Sequence, residues 1–178
     1  MQQQALTMDA TDRRAQFHEL LERHRGIVLK VANTYSRDPH DRADLAQEIA
    51  TQLWRAFPTY DGQRLFSTWM YRIALNVAIS FVRGSSQRER HTEALDEALH
   101  DTVGVSGTES EIDERVRLLY RCIDALDPLN RALLLLYLDE RSQREIADIL
   151  GISETNVSTK INRLKERVRR FGESHGTR

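Results

Sequence analysis

Polar side chains recur on one side of the segment from residue 154 to residue 170, which reads ETNVSTKINRLKERVRR. At about 100° per residue, a helix that buries Val157, Ile161 and Leu164 turns its other side to solvent. Five polar residues fall on that side: Thr155, Ser158, Thr159, Asn162 and Arg163. Arginine forms bidentate hydrogen bonds with guanine edges, and asparagine does so with adenine. The pattern predicts reading of base edges in duplex DNA, with a solvated helix face as the alternative.

Basic residues flank this polar face. Lys160, Lys165 and Arg167 suit contacts to phosphates, which position a protein on DNA without reading its sequence. The formal net charge of the whole chain is only −1 at pH 7. That total therefore hides a basic C-terminal end.

Two short helices must present the face to DNA. Ser142 and Glu145 form a capping box at the start of the first helix, and Gly151 supplies the turn before the second. Ala147 is small where the two helices cross, and Val157 holds the second helix against the first. This arrangement is typical of a DNA-binding helix-turn-helix, and a plain helical hairpin is the alternative.

The rest of the chain also has helical spacing. Apolar residues recur three and four positions apart, and sustained two-residue alternation is missing, so we expect an all-α fold. We expect two small helical domains, at residues 12–83 and 113–171. Residues 84–112 are rich in small and acidic residues, which predicts a flexible acidic linker.

Catalytic and metal-binding motifs are not found in the sequence. It has one cysteine, Cys122, at helical spacing among leucines, which we interpret as a buried structural thiol. Its histidines are scattered, and no phosphate loop or nucleophile elbow occurs. We expect no enzymatic activity, no metal and no cofactor. No apolar run is long enough to span a bilayer and no signal peptide is found, so we expect a cytoplasmic protein without membrane insertion.

A first stretch of the N-terminal half has a polar cluster on an amphipathic helix. It reads DRADLAQEIATQLWRAF, from Asp41 to Phe57, and is expected to bury Leu45, Ile49, Leu53 and Ala56. Three residues at i, i+3 and i+4 share its exposed side. They are Asp44, Gln47 and Glu48.

A second stretch, from Thr59 to Arg83, joins a turn to an aromatic-rich helix. The turn is built on Asp61 and Gly62, and the helix is expected to bury Phe66, Met70, Ile73 and Val77. In this register Trp69 belongs to the core and Tyr71 points outward as a stacking candidate. Leu75 and Ile79 then form an exposed apolar pair, which is a candidate docking surface.

At these residues the chain resembles the extracytoplasmic-function, or group IV, sigma factors of bacterial RNA polymerase. DLAQE resembles their core-binding segment, and FSTWMYRIALN resembles their promoter-melting and −10-recognition helices. The last 60 or so residues resemble region 4. The resemblance extends from about Glu19 to Phe171, and the motifs occur in the family's order.

The resemblance implies a role for each cluster. Asp44, Gln47 and Glu48 match residues that bind the coiled coil of the polymerase β′ subunit, and region 4 implies contact with the β flap. The turn matches the loop that captures a base flipped from the −10 element. The residues implied to bind −10 DNA are Tyr60, Asp61, Gly62, Gln63, Arg64, Phe66, Tyr71, Arg72, Asn76, Ser80 and Arg83. Those implied to bind −35 DNA are Thr155, Ser158, Thr159, Lys160, Asn162, Arg163, Lys165 and Arg167. An anti-sigma factor is a further candidate partner, because the family commonly uses one.

The chain departs from the family's pattern at four positions. Many relatives carry an acidic residue at Ala43, a basic residue at Leu75, an Asp or Asn at Ser80 and an Arg at Gly84. These departures concern the −10 sequence and the strength of core binding rather than the class of protein.

Two other functions are weighed against an initiation subunit. An ordinary helix-turn-helix regulator with a helical sensory or dimerisation domain would bind duplex DNA unaided, usually as a dimer. An enzyme acting on nucleic acid would need a cluster of acidic or metal-binding residues, which the sequence does not show. Whether the protein shifts promoter DNA alone or only with core polymerase separates the first alternative from a sigma factor.

Overall fold

The computed structural model describes the backbone of residues 10–92 and 111–175 and the side chains of residues 12–84 and 117–174. These residues form α-helices and one 3₁₀ turn and contain no β-strand, which confirms the all-α prediction. The chain divides into two compact units, Met1–Val77 and Ala78–Arg178. The division falls inside a helix, whereas the sequence predicted a boundary between residues 83 and 84.

The N-terminal unit is built on two long helices that pack against each other, α1 (Ala10–Tyr35) and α2 (Pro39–Ala56). The carboxylate of Asp38 accepts hydrogen bonds from the backbone amides of His40 and Asp41, at 2.8 and 2.9 Å, and Pro39 occupies the first turn. These are strong signals for a helix start, because they satisfy free amides and preset the backbone.

The 3₁₀ turn Phe57–Thr59 leads from α2 into an exposed turn and then into α3 (Phe66–Thr92). α3 continues through Gly84, where the sequence predicted the start of the linker. Good helix formers from Gln87 to Arg90 follow the small residues and favour this continuation. The rest of the predicted linker, residues 93–110, lies outside the described residues.

Besides the end of α3, the described part of the C-terminal unit consists of four helices: α4 (Glu111–Asp124), α5 (Pro128–Leu138), α6 (Gln143–Leu150) and α7 (Glu154–His175). α7 packs against each of the other three. Its buried residues include Val157, Ile161 and Leu164, as the sequence predicted. Cys122 on α4 is buried as well, and burial raises the pKa of its thiol.

An arginine of α5 bonds to the turn between α4 and α5. The guanidinium of Arg131 donates hydrogen bonds to the carbonyls of Leu126 and Asp124, at 3.0 and 2.7 Å. Asp124 is the last residue of α4, where backbone acceptors lack partners within the helix, and Leu126 follows in the turn. Arg131 therefore ties the start of α5 to the end of α4.

Candidate functional site

The helix-turn-helix has the local geometry that its sequence predicts. The amide of Glu145 donates to the hydroxyl of Ser142 at 3.2 Å, and the amide of Ser142 donates to the carboxylate of Glu145 at 3.0 Å. Gly151 ends α6 in the left-handed region, with φ of 68°. Ser153 caps α7 through a 3.2 Å hydrogen bond from the amide of Asn156. The capping box and the turn are confirmed.

The capping box also changes the acidity of its carboxyl group. Hydrogen bonds from the amide and hydroxyl of Ser142, with a smaller contribution from Arg141, hold the pKa of Glu145 below its usual value. Each of these groups interacts better with the carboxylate than with the neutral acid. The start of α6 therefore depends on ionised Glu145.

The polar face of α7 points to solvent. Thr155, Thr159, Asn162 and Arg163 are exposed, and Ser158 is half-buried. These are the five residues predicted to face the major groove. These side chains lie on one side of a single helix, where the hydroxyl of Thr159 donates a 3.0 Å hydrogen bond to the carbonyl of Thr155.

The predicted phosphate contacts have partners within the C-terminal unit. The ammonium of Lys165 lies 4.7 Å from the centre of the Tyr137 ring, a cation–π distance. The guanidinium of Arg167 donates a 2.7 Å hydrogen bond to the carbonyl of Ala125, at the α4–α5 turn. Arg167 thus holds α7 against that turn, while Lys160 is half-buried on the first part of the helix.

A carboxylate interrupts the basic end of α7. Glu166 accepts hydrogen bonds from Arg169 at 2.8 Å and from Arg170 at 2.9 Å. These bonds lower the pKa of Glu166. Glu166 also lines a shallow groove with Asn162, Arg163, Arg167 and Arg170, so this part of the helix is less basic than a count of its arginines indicates.

The exposed face of α2 carries the predicted polar cluster. Asp44, Gln47 and Glu48 are exposed, whereas Leu45, Ile49 and Leu53 are buried, so the predicted orientation of this helix is confirmed. Gln52 donates a 2.7 Å hydrogen bond to the carboxylate of Glu48 and orients it along the helix. The cluster is available to a partner.

The turn before α3 is closed by its own side chains. Gly62 has φ of 72°, and the carboxylate of Asp61 accepts a 3.0 Å hydrogen bond from the amide of Gln63. The hydroxyl of Tyr60 donates to the carbonyl of Arg64 at 2.8 Å. Asp61, Gly62, Gln63 and Arg64 are exposed, so their polar groups face outward from a fixed backbone.

α3 is rotated relative to the sequence prediction. Tyr71 and Leu75 were predicted to point outward, but they are 0% and 1% exposed. Ile73 and Val77, predicted as core, are only half-buried, and so is Ile79. Apolar residues lie on two adjacent stripes of the helix, so periodicity alone does not decide which stripe is buried. Because Tyr71 and Leu75 are buried, Tyr71 is unavailable as a stacking surface, and Leu75 and Ile79 do not form an exposed pair.

The predicted polar side of α3 remains exposed after this correction. Arg72, Asn76, Ser80 and Arg83 all face solvent. On the helical wheel they lie opposite the observed core, which includes Met70, Ala74 and Ala78.

Aromatic rings pack behind the turn. Phe66 was predicted both as core and as a −10 contact, and it is buried, which leaves only the core assignment. Tyr60 lies 5.4 Å from Phe66 and 5.2 Å from Trp69, measured between ring centres. Trp69, predicted as core, is half-buried on the same side of α3 as the exposed polar residues. The aromatic surface beside the turn is thus formed by Tyr60 and Trp69.

The exposed apolar residues that the sequence analysis missed include Leu65 and Trp54. Leu65, at the start of α3, is 68% exposed, and Trp54, on α2, is 42% exposed. Trp54 packs one side of its ring against Phe17 of α1, at 5.1 Å between ring centres. Periodicity places Trp54 on the same side of α2 as Gln47, two helical turns away, and this spacing could have identified it.

Two consecutive family models match the chain. The sigma-70 region 2 model matches residues 20–88, and the sigma-70 region 4 model matches residues 117–168. The chain belongs to the sigma-70 family. It is a sigma factor of the extracytoplasmic-function type, and a sigma factor binds core RNA polymerase and promoter DNA.

Individual relatives agree with this assignment. SigW of Bacillus subtilis, an extracytoplasmic-function sigma factor, is 25% identical over 167 residues, which cover 86% of this chain and 87% of SigW. Sigma-E of Escherichia coli K12 is 29% identical over 150 residues, which cover 78% of each protein. The sigma factor RpoE of Bartonella quintana, solved with the anti-sigma factor NepR, matches with a TM-score of 0.69 at 16% identity. That match covers 89% of this chain and 97% of RpoE and shows a shared fold.

Within the described parts of this sigma factor, no helix is long and apolar enough to cross a bilayer. The same residues contain no group of three or more His, Cys, Asp or Glu side chains that could hold a metal ion.

Proposed function

We propose that this sigma factor binds the coiled coil of the polymerase β′ subunit through Asp44, Gln47 and Glu48. The main support for the proposal is that α2 is amphipathic. These three side chains are exposed, and three aliphatic residues are buried on the opposite side of the helix. Exposed carboxylates and an amide on one rigid helix face suit a basic, hydrogen-bonding partner. The segment also resembles the family's core-binding region.

The turn and the exposed side of α3 form the proposed −10 site. An extruded base would lie in the turn, where Asp61, Gly62, Gln63 and Arg64 present polar groups to a base edge. Arg72, Asn76, Ser80 and Arg83 extend from the turn along α3 and would bind the neighbouring strand. Half-buried Trp69 lies beside this site.

The −35 site is assigned to the exposed side of α7. Asn162 and Arg163 would read base edges, since both can form bidentate hydrogen bonds, and the three hydroxyl residues Thr155, Ser158 and Thr159 would add to them. Lys160 and Lys165 would hold phosphates. Arg167 would contribute through its remaining donors, because one of them is bonded to Ala125.

Other partners and the cellular location are inferred from the family. The C-terminal unit is expected to contact the β flap, and an anti-sigma factor is a candidate regulator, since the RpoE structure holds one. The polymerase supplies the chemistry of RNA synthesis, so this chain is proposed to be a non-enzymatic subunit that acts in the cytoplasm.

Charge reversal tests the core-binding face. Asp44→Lys combined with Glu48→Lys is expected to abolish co-elution of the purified protein with core RNA polymerase, because it places two ammonium groups against a basic partner. Circular dichroism should stay unchanged, since both side chains are exposed.

Glu19→Lys combined with Glu22→Lys is the matched control. It makes the same change in charge on two exposed carboxylates of α1 and should leave co-elution intact. Undiminished co-elution of the α2 variant would refute the assignment. Loss of co-elution in both variants would show that the change in net charge, and not this face of α2, causes the loss of binding.

A further inference from the structure

Tyr60 faces the aromatic cluster rather than solvent. Its ring lies 6.3 Å from Phe57 in a stacked arrangement, 5.4 Å from Phe66 and 5.2 Å from Trp69. The side chain is half-buried. With three rings around it, Tyr60 has little free face on which a base could stack, so direct stacking is a poor account of this residue.

Its hydroxyl instead acts on the turn. The hydroxyl of Tyr60 donates a 2.8 Å hydrogen bond to the carbonyl of Arg64, four residues later. The bond spans Asp61, Gly62 and Gln63, which are exposed together with Arg64. One side chain, anchored in the core of the unit, therefore holds both ends of the turn together.

A second hydrogen bond shapes the inside of the turn. The carboxylate of Asp61 accepts from the amide of Gln63 at 3.0 Å, and Gly62 adopts the left-handed conformation between them. This local bond fixes only the middle of the turn. The Tyr60 bond connects the turn to the aromatic cluster through a side chain, so it helps to set where the exposed polar groups sit relative to α3.

We infer that Tyr60 is a positioning residue that holds the turn in the shape required to accept an extruded base. This inference rests on the proposed −10 function of the turn. A preformed turn binds more tightly because less conformational freedom is lost when the ligand arrives. The residue acts through the Arg64 carbonyl and need not touch DNA.

Tyr60→Phe tests the inference, because it removes the hydroxyl and keeps the ring. In the full-length protein, hydrogen exchange at the amides from Asp61 to Leu65 should become faster. Holoenzyme containing the variant should bind a single-stranded non-template −10 oligonucleotide about 2- to 12-fold more weakly, which corresponds to the loss of one hydrogen bond. Its preference for one base at the captured position should weaken, while binding to −35 duplex fragments stays unchanged.

Tyr137→Phe is the matched control. It removes a tyrosine hydroxyl from the C-terminal unit and keeps the ring beneath Lys165. Exchange in the turn and binding of the oligonucleotide should match those of the unmodified protein.

Other results would overturn the inference. Unchanged exchange with weaker binding would mean that the hydroxyl contacts DNA directly, and faster exchange with unchanged binding would mean that the shape of the turn does not matter. No change in either measurement would show that the bond is dispensable. If holoenzyme with unmodified Tyr60 fails to bind the oligonucleotide, the proposed −10 function itself fails, whatever the exchange data show about the turn.

Discussion

Neighbouring basic residues on α7 are assigned different tasks at the residue scale. Arg163 is exposed on the polar face, and Lys160 lies half-buried at its edge. Arg163→Ala is expected to cost about 1–3 kcal/mol of binding free energy to −35 DNA and to relax selectivity at one base pair. Lys160→Ala should weaken binding evenly across sequences and lower the slope of affinity against salt by about one.

Both effects can be measured by titrating holoenzyme with −35 duplexes that carry single base-pair changes, at several salt concentrations. The same profile for both variants would contradict the division into base and phosphate contacts.

A pair of serines shows how one side chain links pH to the stability of a helix. Ser142 and Ser153 both cap helices, but only Ser142 has a reciprocal carboxylate, that of Glu145. Ser142→Ala is expected to lower the free energy of unfolding by about 1 kcal/mol near pH 7. The folded pKa of Glu145 is lowered, so its contribution is present above about pH 4.3, the ordinary glutamate pKa, and is lost as the pH falls through the folded pKa.

The cost of Ser142→Ala should therefore shrink in acid, while that of Ser153→Ala should change less. Urea unfolding followed by circular dichroism, near pH 7 and again at a pH below the ordinary glutamate pKa, checks this difference. Fluorescence of Trp54 and Trp69 reports on the N-terminal unit alone and should not change. A cost of Ser142→Ala that is equal at both pH values would contradict the role of ionised Glu145.

At the element scale, two glycines of the C-terminal unit should respond to alanine with opposite sign. Gly151 ends α6 with φ of 68°, a conformation that costs a residue with a side chain about 1–2 kcal/mol. Gly172 lies within α7, and a Cβ there would meet no atom within 4 Å. Gly151→Ala should thus destabilise the unit by about 1 kcal/mol, and Gly172→Ala should stabilise it by about 0.5–1 kcal/mol.

Urea midpoints from circular dichroism measure both changes. An unchanged midpoint for Gly151→Ala would show that the turn conformation is not what Gly151 provides, and a lower midpoint for Gly172→Ala would contradict the prediction for α7.

The elements also differ in how far their sequence determines them. α6, its turn and α7 were predicted correctly because Ser142, Glu145 and Gly151 act within a few residues of themselves. The predicted buried face of α3 was wrong because apolar residues cover two adjacent stripes. Tertiary packing buries Tyr71 and Leu75 more completely than Ile73 and Val77.

Contacts between distant residues could not be read from spacing. The bond from Arg167 to the carbonyl of Ala125 joins residues 42 positions apart, and no local sequence pattern predicts it. The Tyr60 bond is local, but its geometry depends on the aromatic cluster behind it. Residue types therefore located the candidate surfaces, and tertiary packing decided which side chains remain accessible on them.

At the scale of the whole molecule, two separate segments are proposed to make different kinds of DNA contact. α7 presents side chains suited to duplex base edges, while the turn before α3 presents exposed polar groups suited to the edge of an unstacked base. Binding a separated strand better than the duplex offsets the free energy of opening the −10 element. We therefore expect the chain to open DNA only as part of the polymerase.

The most direct test uses a pool of duplex fragments with randomised −10 and −35 segments. Core polymerase, the purified chain and the two together are each allowed to bind the pool, and bound fragments are sequenced and probed with permanganate for unpaired thymines. We predict that only the combination enriches fragments with two separated elements and that unpaired thymines appear in the downstream element alone. Enrichment of a palindromic site by the chain without polymerase, with all thymines paired, would contradict the account and favour a duplex-binding regulator.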